Sequence, residues 1–126
     1  ASAEVVAVPS MYEGFSLPTV EALACGTPVV ASNAGALPEV LGTDGTQGTL
    51  VPPGDVEALV QALGELLDDP ERRARMGAAA RQRAVQTFSW TAVAARTVDA
   101  YAEAAEAAAR RRAEIRRTRK VAHADR

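Results

Sequence analysis

Three short apolar runs in the first half of the chain predict three buried β-strands. They are Val5–Val8, Pro28–Ala31 and Thr49–Val51. None of them alternates apolar with polar residues, and continuous apolar strands are typical of parallel sheets that are covered on both faces. Between the first two runs, Pro18–Cys25 predicts a helix, since proline is accepted in a first helical turn and Gly26 follows the last one. This order predicts a right-handed βαβ unit.

Helical patterns fill the rest of the chain. A short helical turn is predicted around Pro38–Leu41, and Asp55 is an N-cap residue for the helix that follows. A further helix covers about Glu71–Thr87, with arginines on its outer face, and Ser89 caps a long one whose inner stripe reaches about residue 108. The inner stripe of that long helix is predicted to contain Trp90, Val93, Val98 and Tyr101. The predicted fold class is α/β: a partial Rossmann-like domain with a short parallel sheet, flanking helices and a long C-terminal helix.

Composition limits the domain size, the redox environment and the cellular location that are expected of the chain. Its 126 residues suit one small domain or part of a larger one, and 48% of them are apolar, which allows a packed core. Cys25 is the single cysteine, so a disulfide framework is excluded and a reducing cytoplasm is expected. Because Cys25 lies in an apolar passage, it is interpreted as a small buried hydrophobe. No apolar run approaches membrane-spanning length and no signal-peptide pattern is present, which favours a cytoplasmic protein.

Charge is distributed unevenly along the chain. Residues 1–109 carry 6 basic and 14 acidic groups, a net charge of −8, whereas residues 110–126 carry 8 basic and 2 acidic groups, a net charge of +6. The division predicts a domain over 1–109 and a basic tail over 110–126, either a frayed helix or disordered. A weak contact with an anionic membrane, at its inner face, stays open for this tail. No nucleic acid partner is predicted, since the tail has no aromatic residue for base stacking.

The connection from Pro9 to Leu17 is unusually long. Strand-to-helix connections in βαβ units usually take about 2–6 residues, and this one takes nine. It also follows the C-terminal end of a parallel strand, which is where open α/β sheets bind their ligands. The loop is therefore predicted to be functional.

Two glutamates in and after this loop suggest the chemistry. Glu21 is expected in the first turn of the Pro18 helix, where its carboxylate can accept from two adjacent hydroxyls, such as those of a ribose. The helix N-terminus beside it suits a phosphate, so the pair suggests a nucleotide. Glu13 precedes Gly14, which permits a close backbone approach, and would face a sugar attached to that phosphate. Alternatively, both glutamates are solvated surface charges and Phe15 plugs the core.

The sequence PSMYEGFSLPTVEALACGTPVVAS at 9–32 closely resembles the donor-site segment of family 4 of the retaining glycosyltransferases, which have the two-domain GT-B fold. The family pattern is a glutamate, seven residues and a second glutamate, followed by an alanine-rich helix and a Gly-x-Pro-Val-Val strand. The resemblance continues through Ala34-Gly35, Pro38-Glu39, LVPPGD at 50–55 and FSW at 88–90. It covers about residues 3–101.

The resemblance implies a role for each matching residue. Glu21 matches the glutamate that binds the donor ribose, and Glu13 matches the one that faces the donor sugar and is implicated in catalysis. The loop that approaches the diphosphate and sugar is matched by Gly14, Phe15, Ser16 and Leu17, although Ser16 replaces the usual glycine. The implied reaction is transfer of a sugar from a nucleotide-diphosphate donor to an acceptor, with retention at the anomeric carbon. No metal or other cofactor is expected, and no Asp-x-Asp pattern is present.

Two parts of complete family members are missing from the match. They are an N-terminal acceptor-binding domain and basic residues early in the C-terminal domain that neutralise the diphosphate. Residues 1–109 hold six arginines, none before Arg72. The chain is therefore expected to be a glycosyltransferase fragment that is inactive alone, because charge stabilisation is usually the largest catalytic contribution. The alternative is a non-catalytic nucleotide-sugar-binding domain, or a structural α/β domain that works with a separate chain.

Overall fold

The computed structural model describes the backbone of residues 2–124 and the side chains of residues 2–115. The chain divides after Ser89 into two units. The first unit contains β1 (Val6–Val8), α1 (Leu17–Ala24), β2 (Val29–Ser32), α2 (Leu37–Leu41), β3 (Gly48–Val51), α3 (Val56–Asp68) and α4 (Pro70–Phe88). The second unit contains α5 (Trp90–Ala124).

The sheet has three parallel strands in the order β1-β2-β3, which confirms the predicted fold class. Val6 pairs with Val29 across the first ladder, and Val29 pairs with Gly48 across the second. Within the described residues, β1 is therefore an edge strand with one free flank.

Both faces of the sheet are covered, which explains why β2 lacks polar alternation. Val29 and Ala31 belong to one apolar cluster, together with Leu23 of α1 and Leu41 of α2. The residue between them, Val30, belongs to a second cluster on the opposite face. That second cluster also contains Val51, Ala62, Leu66 and Met76. Successive strand residues point to opposite faces, so a strand buried on both sides must be apolar throughout.

Helix α4 joins these layers through arginines that cap other helices. Arg81 donates to the carbonyl oxygen of Ala24 at 2.7 Å, at the end of α1. Arg83 donates to the carbonyl oxygens of Glu39 and Val40, both at 2.7 Å, at the end of α2. Arg73 does the same for the last turn of α3. The prediction that the arginines of α4 lie on its outer face was wrong for Arg73 and Arg83, which are partly buried, whereas Arg81 is exposed. All three satisfy carbonyls that a helix end leaves unpaired.

Helix α4 also lies very close to the end of α1. A Cβ atom at Gly77, in the middle of α4, would overlap the carbonyl oxygen of Gly26 and lie 3.8 Å from the ring of Pro28. Gly26 itself has a φ of +72°, the left-handed conformation of a helix C-terminus. The two glycines thus allow backbone-to-backbone contact between α1 and α4.

Two predictions outside the site were wrong. Cys25 is exposed rather than buried, because α1 turns Thr19, Ala22 and Leu23 toward the core and ends before Cys25. The predicted inner stripe of α5 is exposed, with Trp90 89% and Tyr101 74% exposed, and the helix itself continues beyond the stripe to Ala124. The assignment of 110–126 as a separate basic tail stays a prediction. No helix among the described residues combines the length and the apolar character needed to cross a membrane.

Candidate functional site

Three loops meet at the carboxyl edge of the sheet, because the strands are parallel and end on the same side. They are residues 9–16 after β1, 33–36 after β2 and 52–55 after β3. The first loop lies next to the third: a Cβ atom added to Gly54 would be in van der Waals contact with the sulfur of Met11, at 3.8 Å. A cavity of about 150 Å³ opens here, lined among others by Pro9, Ser32, Val51 and Asp55. This edge is where an open α/β sheet binds its ligand.

Ser16 ends the first loop in a left-handed conformation, with φ 67° and ψ 74°. It is the one residue other than glycine with positive φ among the described residues. Its buried hydroxyl lies 2.8 Å from that of Thr19, and its carbonyl oxygen accepts from the backbone N–H of Thr19 and of Val20. This geometry explains why glycine suits the position and shows how serine is held in it.

The backbone N–H groups of Gly14, Phe15, Ser16 and Leu17 form a run of free donors. None of these four N–H groups donates a hydrogen bond within the part of the chain that the structure describes. Pro18 has no N–H, and the N–H of Thr19 is already bonded to Ser16, so the run ends at the first helical residue. Successive free N–H groups around a left-handed residue form a concave binding site for anions.

Glu13 is held from two directions. Its carboxylate accepts a hydrogen bond of 2.9 Å from the hydroxyl of Ser10 and is half-buried. Its carbonyl oxygen accepts one of 2.9 Å from the backbone N–H of Ala36, at the start of α2. The loop after β2, which the sequence indicated only through the match at Ala34-Gly35, therefore fixes the backbone of Glu13.

Glu21 lies just beyond the first turn of α1, whereas it was predicted within that turn. The helix begins at Leu17 and has no acidic residue in its first turn, so the expected first-turn position was wrong. The side chain is exposed, and no hydrogen bond or ion pair within the described side chains uses its carboxylate. Phe15 is 46% exposed and meets Phe88 edge to face, with ring centroids 5.8 Å apart. It is thus only partly the core plug that the alternative interpretation required.

Four of the five arginines of the first unit make their contacts away from this edge. Arg73, Arg81 and Arg83 cap helix C-termini, which return to the amino edge of the sheet. Arg72 pairs with Glu65, where hydrogen bonds from Gln61 and Arg72 lower the pKa of the carboxyl group. Among the residues with described side chains, no group of three or more His, Cys, Asp or Glu residues is placed to hold a metal ion. The three loops therefore offer an anion N–H donors without a cationic side chain.

Residues 1–83 match the family model described as glycosyl transferases group 1. The chain belongs to this family. It is 60% identical over 104 residues to the MMP alpha-(1->4)-mannosyltransferase of Mycolicibacterium hassiacum, covering 82% of this chain and 25% of that protein. This family membership and the GT-B likeness confirm the resemblance inferred from the sequence.

Two solved glycosyltransferase structures share the fold. Sucrose-phosphate synthase from Thermosynechococcus elongatus superposes with a TM-score of 0.73 at 40% identity, covering 83% of this chain and 26% of that one. Anabaena Alr3699/HepE in complex with UDP gives 0.74 at 28% identity, covering 81% and 28%. The chain thus spans about a quarter of the length of the curated relatives and structures that it matches.

Proposed function

We propose that this glycosyltransferase chain forms one wall of the binding site for a nucleotide-diphosphate sugar. The free N–H run at Gly14–Leu17 carries the proposal, because it offers an anion several donors at the carboxyl edge of a parallel sheet. In this arrangement the run receives the diphosphate. The relative Alr3699/HepE, whose structures contain UDP and UDP-glucose, supports a donor of this class.

The two glutamates take different parts of the donor. Glu21, exposed and unpaired on α1, accepts from the two ribose hydroxyls. Glu13, fixed at the start of the loop, faces the sugar and acts as the catalytic residue of a transfer that retains anomeric configuration. No metal is assigned to the reaction. The acceptor of the transfer is bound by a part of the enzyme outside the quarter that this chain represents.

The negative charge of the donor diphosphate needs cationic groups that the three loops do not supply. The arginines of the first unit that have described contacts cap helices or pair with acids at the opposite edge. Stabilisation of a leaving diphosphate is the kind of electrostatic contribution that is usually largest in catalysis. We therefore assign donor recognition to this chain, and complete transfer to this chain together with the remaining length that its relatives possess.

Glu21→Ala tests the proposal by calorimetry with UDP, GDP and ADP on the 126-residue chain. Hydrogen bonds to a charged group contribute about 1.5–3 kcal/mol, so the affinity for the preferred nucleotide is expected to fall about 10- to 150-fold. Glu71→Ala is the matched control, since it removes another exposed carboxylate, at the start of α4, where that group pairs with Arg75. Equal affinities of the Glu21 variant and the unaltered chain would contradict the assignment.

A further inference from the structure

The backbone position of Glu13 is set by a loop that is remote from it in the sequence. Among the described backbone hydrogen bonds, the one that joins residues 11–15 to another segment runs from the N–H of Ala36 to the carbonyl oxygen of Glu13. The bond length is 2.9 Å. Ala36 is also the N-cap of α2, so the tether ends on a residue that a buried helix holds in place.

Gly35 makes this tether possible. A Cβ atom there would overlap the carbonyl oxygen of Glu13 and lie 2.8 Å from its nitrogen. Both are backbone atoms, so no side-chain rotation relieves the overlap, and any side chain at this position pushes the Glu13 backbone away. Gly35 also has a φ of +54°, which strains residues with a Cβ atom.

We propose that Gly35 is a positioning residue for Glu13: by admitting the Glu13 backbone against the loop after β2, it sets where the Glu13 carboxylate stands relative to the donor sugar. The inference rests on the proposed function. The carboxylate itself is oriented inside its own loop by Ser10, so its place depends on where that loop is anchored. Displacements of about 1 Å around reacting groups can cost about 100-fold in rate, so such an anchor matters.

Gly45 provides a matched control. It has a φ of +76°, and a Cβ atom there meets nothing within 4 Å. Gly45→Ala therefore introduces backbone strain without an overlap, whereas Gly35→Ala introduces both. A difference between the two variants isolates the close approach to Glu13.

The experiment combines amide hydrogen exchange with binding on the 126-residue chain. The probes are UDP-glucose, GDP-mannose and ADP-glucose, each compared with its parent nucleoside diphosphate. In Gly35→Ala, exchange of the Ala36 N–H should accelerate about tenfold or more. Affinity for the preferred sugar nucleotide should fall about tenfold, as expected for the loss of one charged hydrogen bond, and affinity for its parent diphosphate by less than about twofold. Gly45→Ala should change neither the exchange rate of the Ala36 N–H nor the affinity for either ligand.

A measurement on the unaltered chain covers the case in which Gly35→Ala fails to fold. There, the sugar nucleotide should slow exchange of the Ala36 N–H more than its parent diphosphate does, because only the sugar engages Glu13. Unchanged Ala36 exchange in a folded Gly35→Ala, equal losses of affinity for both ligands, or equal slowing by both ligands would overturn the inference. A chain that binds none of the six probes contradicts the proposed function instead, while Ala36 exchange still reports on the tether.

Discussion

At the scale of single residues, Ser16 shows how a site can require a costly backbone conformation. Its φ of 67° places a Cβ atom where L-residues are disfavoured by about 1–2 kcal/mol. The hydrogen bond with Thr19 and the two bonds accepted by its carbonyl hold the conformation in place. Ser16 also lies within the run of unbonded N–H groups proposed to bind the diphosphate, so the strained residue belongs to the proposed site.

Ser16→Gly is expected to be more stable than Ser16→Ala by about 1 kcal/mol, because both lose the hydroxyl and only alanine keeps the unfavourable Cβ atom. In a helix interior the order would be reversed. Urea unfolding of the two variants measures the difference. An alanine variant as stable as the glycine variant would mean that Ser16 is not held in the left-handed conformation in solution.

At the scale of elements, the packing of α1 on α4 depends on contact between their backbones. Gly77 reduces the helix propensity of α4, yet a side chain there would overlap the carbonyl oxygen of Gly26. Helix α3 contains a glycine in a different setting. A Cβ atom at Gly64 would meet nothing within 4 Å, so this glycine has no packing role.

Gly77→Ala is expected to lower the free energy of unfolding by about 2 kcal/mol or more, since overpacking against backbone outweighs the gain in helix propensity. Gly64→Ala, the same change in an open helical position, is expected to raise it by about 0.5–1 kcal/mol. Thermal and urea unfolding of both variants give the two values. Stabilisation by both substitutions would show that α1 and α4 lie farther apart than the structure has them.

At the scale of the whole molecule, the described residues bring together the loops that we propose bind the donor, whereas Arg72, Arg73, Arg81 and Arg83 make their contacts elsewhere. The parallel sheet collects three loops at its carboxyl edge, while α4 directs arginines to helix ends at the amino edge. The relatives are about four times as long as the aligned segment. The proposed function therefore predicts that donor binding can be separated from turnover.

The 126-residue chain alone is expected to show no acceptor-dependent release of nucleoside diphosphate. Retaining transfer needs donor and acceptor positioned together, and that positioning supplies much of the rate. The assay incubates the chain with the three sugar nucleotides and a mixed acceptor panel, with Glu13→Ala as the control. Release that requires acceptor and disappears in Glu13→Ala would contradict this expectation, although it would support the role of Glu13.

The sequence by itself determined the fold class, the order of the strands and helices, and the family. Continuous apolar runs mark strands that are buried on both faces, and Asp55 caps α3 by accepting from the N–H of Ala58 at 2.9 Å, as its residue type predicted. The segment with Glu13 and Glu21 was sufficient to indicate the glycosyltransferase family. These features depend on residues that are near one another in the chain, so a linear pattern carries them.

Only the tertiary structure decided which distant segments meet. Gly35 lies against Glu13, Gly77 lies against Gly26, and Arg83 caps α2 from more than forty residues away. The same packing left Cys25 exposed and put Glu21 beyond the first turn of its helix. Such contacts depend on how layers stack and where each helix begins, and backbone atoms, which every residue shares, make many of them. A pattern of side chains along the sequence does not specify contacts of that kind.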